Sequence, residues 1–226
     1  MSTMPPLDKN IPERRSGEDR RTIADEMNPA GAFSDQRQTI RRITERLIPA
    51  MDAEAVRLAA EGRPREEIFR FFMGRLGALL AEAFGVHTDE VAILLLTDNA
   101  QMFRFGYPVK LYEGKMNVFP VGSQSIAAQV FRAKLGRIDN DATKVRHLSF
   151  YEQIRISDRP ANLIQKMITA PIIAPTGKVI GVSQISRKGM SLEDSGAAFM
   201  QSDLIQLVDI SRAAAQKIES LTPEDF

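Results

Sequence analysis

Cysteine is missing from all 226 residues, and histidine occurs twice. Without cysteine there are no disulfides, no thiol catalysis, no thiolate metal sites and no thioether-linked chromophores. His87 and His147 lie far apart in sequence, which argues against a dedicated transition-metal site. An excess of charge of one sign is also missing. The net charge is +1, so there is no long-range pull toward nucleic acid or an acidic membrane. Long apolar runs are lacking too: Val91–Leu96, the longest, is strand-sized, against the roughly 20 residues a membrane-spanning helix needs. Met1–Asn10 shows no basic-then-apolar leader pattern, and the expected compartment is the cytoplasm. What is present is ordinary for a chain with a real core, 43% hydrophobic and 26% charged residues. The length fits one large domain or two small ones.

Residues 1–33 differ from the rest. Pro5, Pro6, Pro12 and Pro29 punctuate them, apolar residues are scarce, and Glu13–Arg21 is a run of charge. Such a stretch buries too little apolar surface to offset its ordering entropy, and is expected to be a disordered tail. It reads as a solvated tail or, more sharply, as an arginine-rich anion-binding arm. Its paired arginines resemble those of PilZ domains, but the spacing is one residue too long and the companion motif is missing, so PilZ is set aside. Residues 34–62 read as a helical extension. Ser34 or Asp35 can cap it, and Ile40, Ile43, Leu47 and Met51 recur at spacings of three and four. Pro49 must interrupt or kink that helix. A second helix is expected over Arg65–Phe84, with an apolar stripe wide enough to lie on a sheet and Gly85 as its stop.

Strand signals follow. Val91–Leu96 reads as a central strand buried on both faces, and Met102–Tyr107 as its antiparallel partner. Met116–Val121 is a further strand candidate. Ile126–Phe131 is a short helix capped by Ser123 or Ser125, and Gly136–Ile138 a short strand. A helical piece is expected around Val145–Ile154. Met167–Ile173 and Lys178–Arg187 form a hairpin, in which Pro171 implies an edge or a bulge. A last helix runs from about Met200 to Glu219.

Four stretches, in the family's order along the chain, resemble the GAF domain. Ile168–Ile185 is similar to the family's last two strands and their glycine turn. Pro120–Ala127 followed by Gly136–Asp141 resembles its glycine-serine loop, helix and return strand. Phe199–Leu204 resembles the aromatic-x-x-x-Asp-Leu entry to its final helix. Together they cover roughly residues 60–219 and imply an α+β fold. That fold has a central antiparallel sheet of about six strands flanked by helices, with the GAF domain at 63–221. Gly177 permits the turn, and Gly181 avoids a side chain where packing is close.

The resemblance implies a sensory or regulatory binding module, not an enzyme, with a pocket over the sheet. It maps the pocket to Ser123, Gln124, Ser125, Asn140, Asp141, Arg146, His147, Phe150, Tyr151, Thr169 and Gln184. The bland alternative is that His147 and Tyr151 satisfy loop backbone and Phe150 is core. The family's bilin-binding members and its free methionine sulfoxide reductases use cysteines that this chain lacks. Its cyclic-nucleotide binders carry an asparagine and a glutamate where Arg187 and Leu204 stand here, so no cofactor is expected. Lys188 and Asp203 are expected to pair between the last strand and the last helix. Asp139-Asn140-Asp141 fails as a calcium loop, because Lys144 and Phe150 occupy the required glycine and acidic positions. Neither a Gly-x-Ser-x-Gly nor a phosphate-cradling loop is present.

Leu204, Val208, Ser211, Ala215 and Ile218 recur at heptad spacing in the last helix, and either pack on the chain's own sheet or pair with a second copy. With the unpartnered early helix they predict a homodimer. The expected partners are thus an unidentified small molecule, a second copy and a downstream signalling protein, with no nucleic acid or membrane. Two other functions compete: a ligand-free interaction module, its pocket filled by Phe105, Phe150 and Met167, and an effector domain of a transcription regulator.

Overall fold

The computed structural model describes residues 29–97, 99–113, 119–144 and 162–226. The chain divides into two units, residues 1–37 and 38–226; the described residues of the first, 29–37, are helical.

Helix α1 (Pro29–Arg42) starts upstream of the cap expected at Ser34 or Asp35, with Pro29 at its first position, where the missing N–H costs nothing. The kink expected at Pro49 takes a specific form. A π turn spans Ile43–Leu47, and the Ile48 N–H bonds back to the Ile43 carbonyl. Widening the ladder just before proline accommodates a ring that would clash with the preceding turn. The helix then continues as α2 (Ile48–Ala60). Helix α3 (Arg65–Phe84) ends at Gly85, whose φ of 59° supplies the left-handed stop.

The strands are β1 (Val91–Leu96), β2 (Met102–Tyr107), β3 (Phe119–Pro120), β4 (Arg137–Asp139), β5 (Leu163–Ile173) and β6 (Val179–Gly189). Between them stand α4 (Val109–Glu113) and α5 (Ile126–Ala133), and α6 (Gln201–Leu221) closes the chain. The strands form one sheet in the order β3-β2-β1-β6-β5-β4, and every pair is antiparallel. The expected sheet is thus present, with two of its strands very short. β4 reaches residues 167–169 of β5, so at Pro171 β5 is locally an edge on that side, which is where a strand tolerates proline. The helix expected around Val145–Ile154 and much of the strand expected over Met116–Val121 lie outside the described residues.

Alternation along the strands divides the core in two. Ile93, Leu95, Ile168, Ile172 and Ile185 face a layer made by α2, α3 and α6. Ala92, Leu94, Phe103, Phe105, Met167 and Val182 face α4 and α5. Ile43, Ile48 and Met51 belong to the first cluster, so the early helix finds its apolar partner inside the chain. The heptad seam does likewise: Leu204, Ser211, Ala215 and Ile218 are buried, and the Ser211 hydroxyl donates to the Ser183 hydroxyl of β6 at 2.9 Å. Of the two outcomes posed for that seam, it packs on its own sheet. The dimer argument built on these two helices loses its surface.

The pair expected between Lys188 and Asp203 is not formed. Asp203 instead accepts the Met200 N–H at 2.7 Å and caps α6. Lys188 sits where β6 runs past the start of β1, so its neighbour is the turn at Thr88–Glu90. Its ammonium donates to the Asp89 carbonyl at 2.8 Å and lies 3.8 Å from the Asp89 carboxylate.

An aromatic cluster closes one end of the helix layer. Phe69, Tyr112 and Phe226 pack with ring centroids 5.4–5.9 Å apart, and the Arg104 guanidinium lies 5.4 Å from the Phe226 ring. The Tyr112 hydroxyl bonds to Glu66 at 3.2 Å. Burial, reinforced by the Glu66 charge, pushes the Tyr112 phenol up to about 12 from its ordinary value near 10. The raised value favours the protonated folded state, so the contribution is complete below about pH 10 and is lost as pH rises toward 12. Urea unfolding between pH 9 and 12 should show that decline, and Tyr112→Phe should flatten part of it. An unchanged slope in Tyr112→Phe counts against this environment. Tyr107, also raised by burial, accounts for a remaining part.

Candidate functional site

The face of the sheet beneath α5 collects the polar groups. β5 pairs with β4 through Arg137↔Thr169 and Asp139↔Met167, and with β6 through Thr169↔Gln184. Ile138 turns into the helix layer, so period-two alternation sends Arg137 and Asp139 to the opposite face. The result is a transverse row of Arg137, Thr169 and Gln184, with Asp139 and Met167 beside it.

These groups are joined. The Gln184 amide donates to the Thr169 hydroxyl at 3.1 Å and approaches the Met167 sulfur at 3.1 Å. Arg137 donates to Asp139 at 2.8 Å through Nε and to Gln129 of α5 at 2.6 Å through Nη1. Thr169 is fully buried and Asp139 is 8% exposed. One carboxylate oxygen of Asp139, Oδ2, is buried with no hydrogen-bond partner among the described residues. A buried acceptor left unpaired costs about 1–3 kcal/mol, so this corner is short of a donor.

Helix α5 is held above the row by its cap. The Ser125 hydroxyl accepts the Ala128 N–H at 3.2 Å and lies 2.9 Å from the Ser123 hydroxyl. Gln124 is exposed, and its carbonyl accepts from Gln129 at 2.9 Å. Arg132 donates to the carbonyls of Val121 and Ser123, which fixes the loop.

The residues mapped to a pocket therefore separate. Thr169 and Gln184 lie in the row, and Ser125 caps the helix above it. Asn140 spends its amide on the Phe199 backbone, donating to the carbonyl at 2.9 Å and accepting the N–H at 2.8 Å; it ties the end of β4 to the entry of α6. Asp141 holds a local turn with Thr143 and Lys144, each at 2.5 Å, and the bond from Lys144 keeps its carboxyl below the usual range. Arg146, His147, Phe150 and Tyr151 lie outside the described residues. Arg137, Asp139 and Gln129 were not among the mapped residues, although the alternation of Arg137-Ile138-Asp139 carries the signal for the first two.

Among the described residues no group of three metal-binding side chains is present, and no helix is long and apolar enough to cross a membrane.

No protein-family model matches the chain, and no curated protein matches it in sequence. Solved structures match it in shape. The GAF domain of a phosphoenolpyruvate-protein phosphotransferase from Coxiella burnetii is 16% identical, with a TM-score of 0.55 over 83% of this chain and 95% of its own. The equivalent domain from Acinetobacter, also 16% identical, gives 0.53 over 82% and 93%. A free methionine-R-sulfoxide reductase from Neisseria meningitidis, 15% identical, gives 0.50 over 79% and 89%. The last is an enzyme, so shape by itself does not separate a binding domain from a catalytic one. At these identities the likeness is one of architecture, and the antiparallel sheet between a three-helix layer and the short helix α5 is the GAF fold.

Proposed function

We propose that this chain is a sensory or regulatory domain that binds a small organic molecule beneath α5 and does no chemistry on it. The observation that carries the reading is the row Arg137–Thr169–Gln184, with the unpartnered Asp139 oxygen beside it. It is a small set of polar groups on an apolar floor of Phe105, Met167 and Val182, the composition of a ligand site. The carboxylate and guanidinium nearest it are bonded to each other, an arrangement for recognition more than for proton transfer. The absence of cysteine from the sequence leaves no thiol nucleophile.

A route outward exists in neighbouring residues. Gln184 faces the row while Ser183, the preceding residue of β6, bonds to Ser211 of α6. A ligand that pulls on Gln184 therefore strains the seat of the last helix, which carries the state to a downstream protein.

Melting curves with nucleotides, amino acids and organic acids test the reading. A ligand at 100 times its Kd stabilises by about 2.7 kcal/mol, a rise in Tm of roughly 5–11 °C for a domain of this size. Gln184→Leu, similar in volume but without the amide, should abolish most of that rise. A flat panel across all three classes sinks the proposal.

A ligand-free interaction module is the second reading. It is favoured by Phe105 and Met167, which are 3% and 5% exposed, as a filled pocket requires. The third residue of that expectation, Phe150, lies outside the described residues. This reading predicts a flat panel together with capture of a partner protein.

A further inference from the structure

Two cations stand side by side on the helix-layer face of the sheet, and neither is paired with an acid. Lys166 of β5 faces Arg187 of β6 in the strand register. Each lies two residues from an isoleucine, Ile168 or Ile185, that packs against the helices, so period-two alternation sends both side chains to that face. Gln184 and Thr169 point to the opposite one, and the pair takes no part in the ligand row.

Lys166 is 7% exposed. Its ammonium donates to the carbonyls of Leu192, at 2.7 Å, and Gly196, which leaves one of its three donors. Arg187 is half-buried, and its guanidinium lies over the Phe199 ring, 4.7 Å from the centre. Stacking occupies the face of a guanidinium and leaves its N–H edge for other partners. That edge is bare: Arg187 makes no hydrogen bond among the described residues, and its Nε is buried. Neither Lys166 nor Arg187 forms an ion pair among the described residues. Residues 190–198 cover the pair, and a Cβ at Gly196 would stand 3.3 Å from Arg187 Nη1. The acids of that loop, Glu193 and Asp194, are exposed. Glu193 is held below the usual carboxylate range first by its own backbone N–H and the Ser191 hydroxyl, and least by the Lys166 charge. Two positive charges thus sit partly out of water without a counter-charge, which is unfavourable until an anion completes the group.

We infer that Arg187 and Lys166 form a site for a phosphate group, free or carried on a small molecule. The planar guanidinium fork matches two phosphate oxygens, and the remaining ammonium donor supplies a point charge for a third. A phosphate monoester carries about −1.5 to −2 near neutral pH, so it balances both cations where a carboxylate balances one.

Isothermal titration of the full chain with inorganic phosphate, at an ionic strength held constant with chloride, tests it. The wild type should bind one phosphate per chain, and acetate more weakly. Arg187→Met keeps an apolar stem against Phe199 without the charge and should weaken phosphate binding by about tenfold or more. Arg187→Lys keeps the charge without the fork and should weaken it by less, which decides the matter if the methionine variant does not fold. Gln184→Leu should leave phosphate binding intact, so failure of this site and failure of the row beneath α5 are distinguishable. Glycerol phosphate separates the sources: tighter binding than inorganic phosphate identifies an ester as the occupant, equal or weaker binding the free ion, and either supports the site. The inference is overturned by a wild type that binds no phosphate, by equal binding of phosphate and acetate, or by Arg187 variants that bind phosphate as the wild type does.

Discussion

Gly181→Ala is expected to lower stability by about 3 kcal/mol or more, a fall in Tm of roughly 6–12 °C. The cause is backbone meeting backbone. A Cβ at position 181 would stand 2.2 Å from the Leu94 carbonyl oxygen and 3.1 Å from the Leu95 Cα. Side chains yield by rotating, but a carbonyl in a ladder yields only if the ladder moves. Here the ladder is the β1–β6 pair, in which Gly181 faces Leu95, and those strands are the two middle members of the sheet. Gly122→Ala is the control, because nothing lies within 4 Å of the added methyl. Thermal and urea unfolding of both variants would decide it. A Gly181→Ala protein within 2 °C of wild type (roughly 1 kcal/mol or less) contradicts the register at the centre of the fold.

Glu90→Ala should cost about 2 kcal/mol by leaving two part-buried backbone donors without acceptors. The side chain is 6% exposed and its two oxygens serve different parts of the backbone. One accepts the Lys188 N–H at 2.7 Å, at the end of β6. The other accepts the His87 N–H at 2.8 Å, before β1. The Glu90 carbonyl in turn accepts the Ser186 hydroxyl at 3.0 Å. A single carboxylate thus locks the approach to β1 against the stretch of β6 that β1 does not pair. Glu90→Gln keeps one acceptor oxygen and should fall between wild type and alanine. Amide exchange at Lys188 should accelerate in the same order, and equal protection across the three proteins would refute the bond.

Both predictions concern the frame that carries the candidate ligand row. Gln184 and Ser183 stand between the Gly181 contact and the Ser186–Glu90 lock, along one strand. β6 is thus braced on both sides of the candidate row. Ser183, next to Gln184, bonds the same strand to α6 through Ser211.

Local chemistry made the elements legible. α3 and the first two strands occupy the residues that periodicity and turn chemistry assigned to them, because apolar spacing and glycine preferences act within a few residues. Pro49 announced a disturbance, though not that a π turn would absorb it. The order of the motifs was enough to point to the GAF fold.

Partnership was decided by tertiary structure. A heptad-spaced stripe fits a sheet as well as a second helix, and only packing showed α6 lying on β5 and β6. Lys188 could reach any carboxylate near the end of its strand; the length of β6 beyond β1 brought it to Asp89. Asn140, polar and next to a strand, suited a pocket by residue type, but the loop geometry turned it into a brace for Phe199. Arg137 and Asp139 became candidates through the register of β4 on β5, since a shift of one residue would have sent them into the helix layer. Sequence carries what neighbouring residues impose on one another, while the choice among distant partners depends on which surfaces the folded sheet brings within reach.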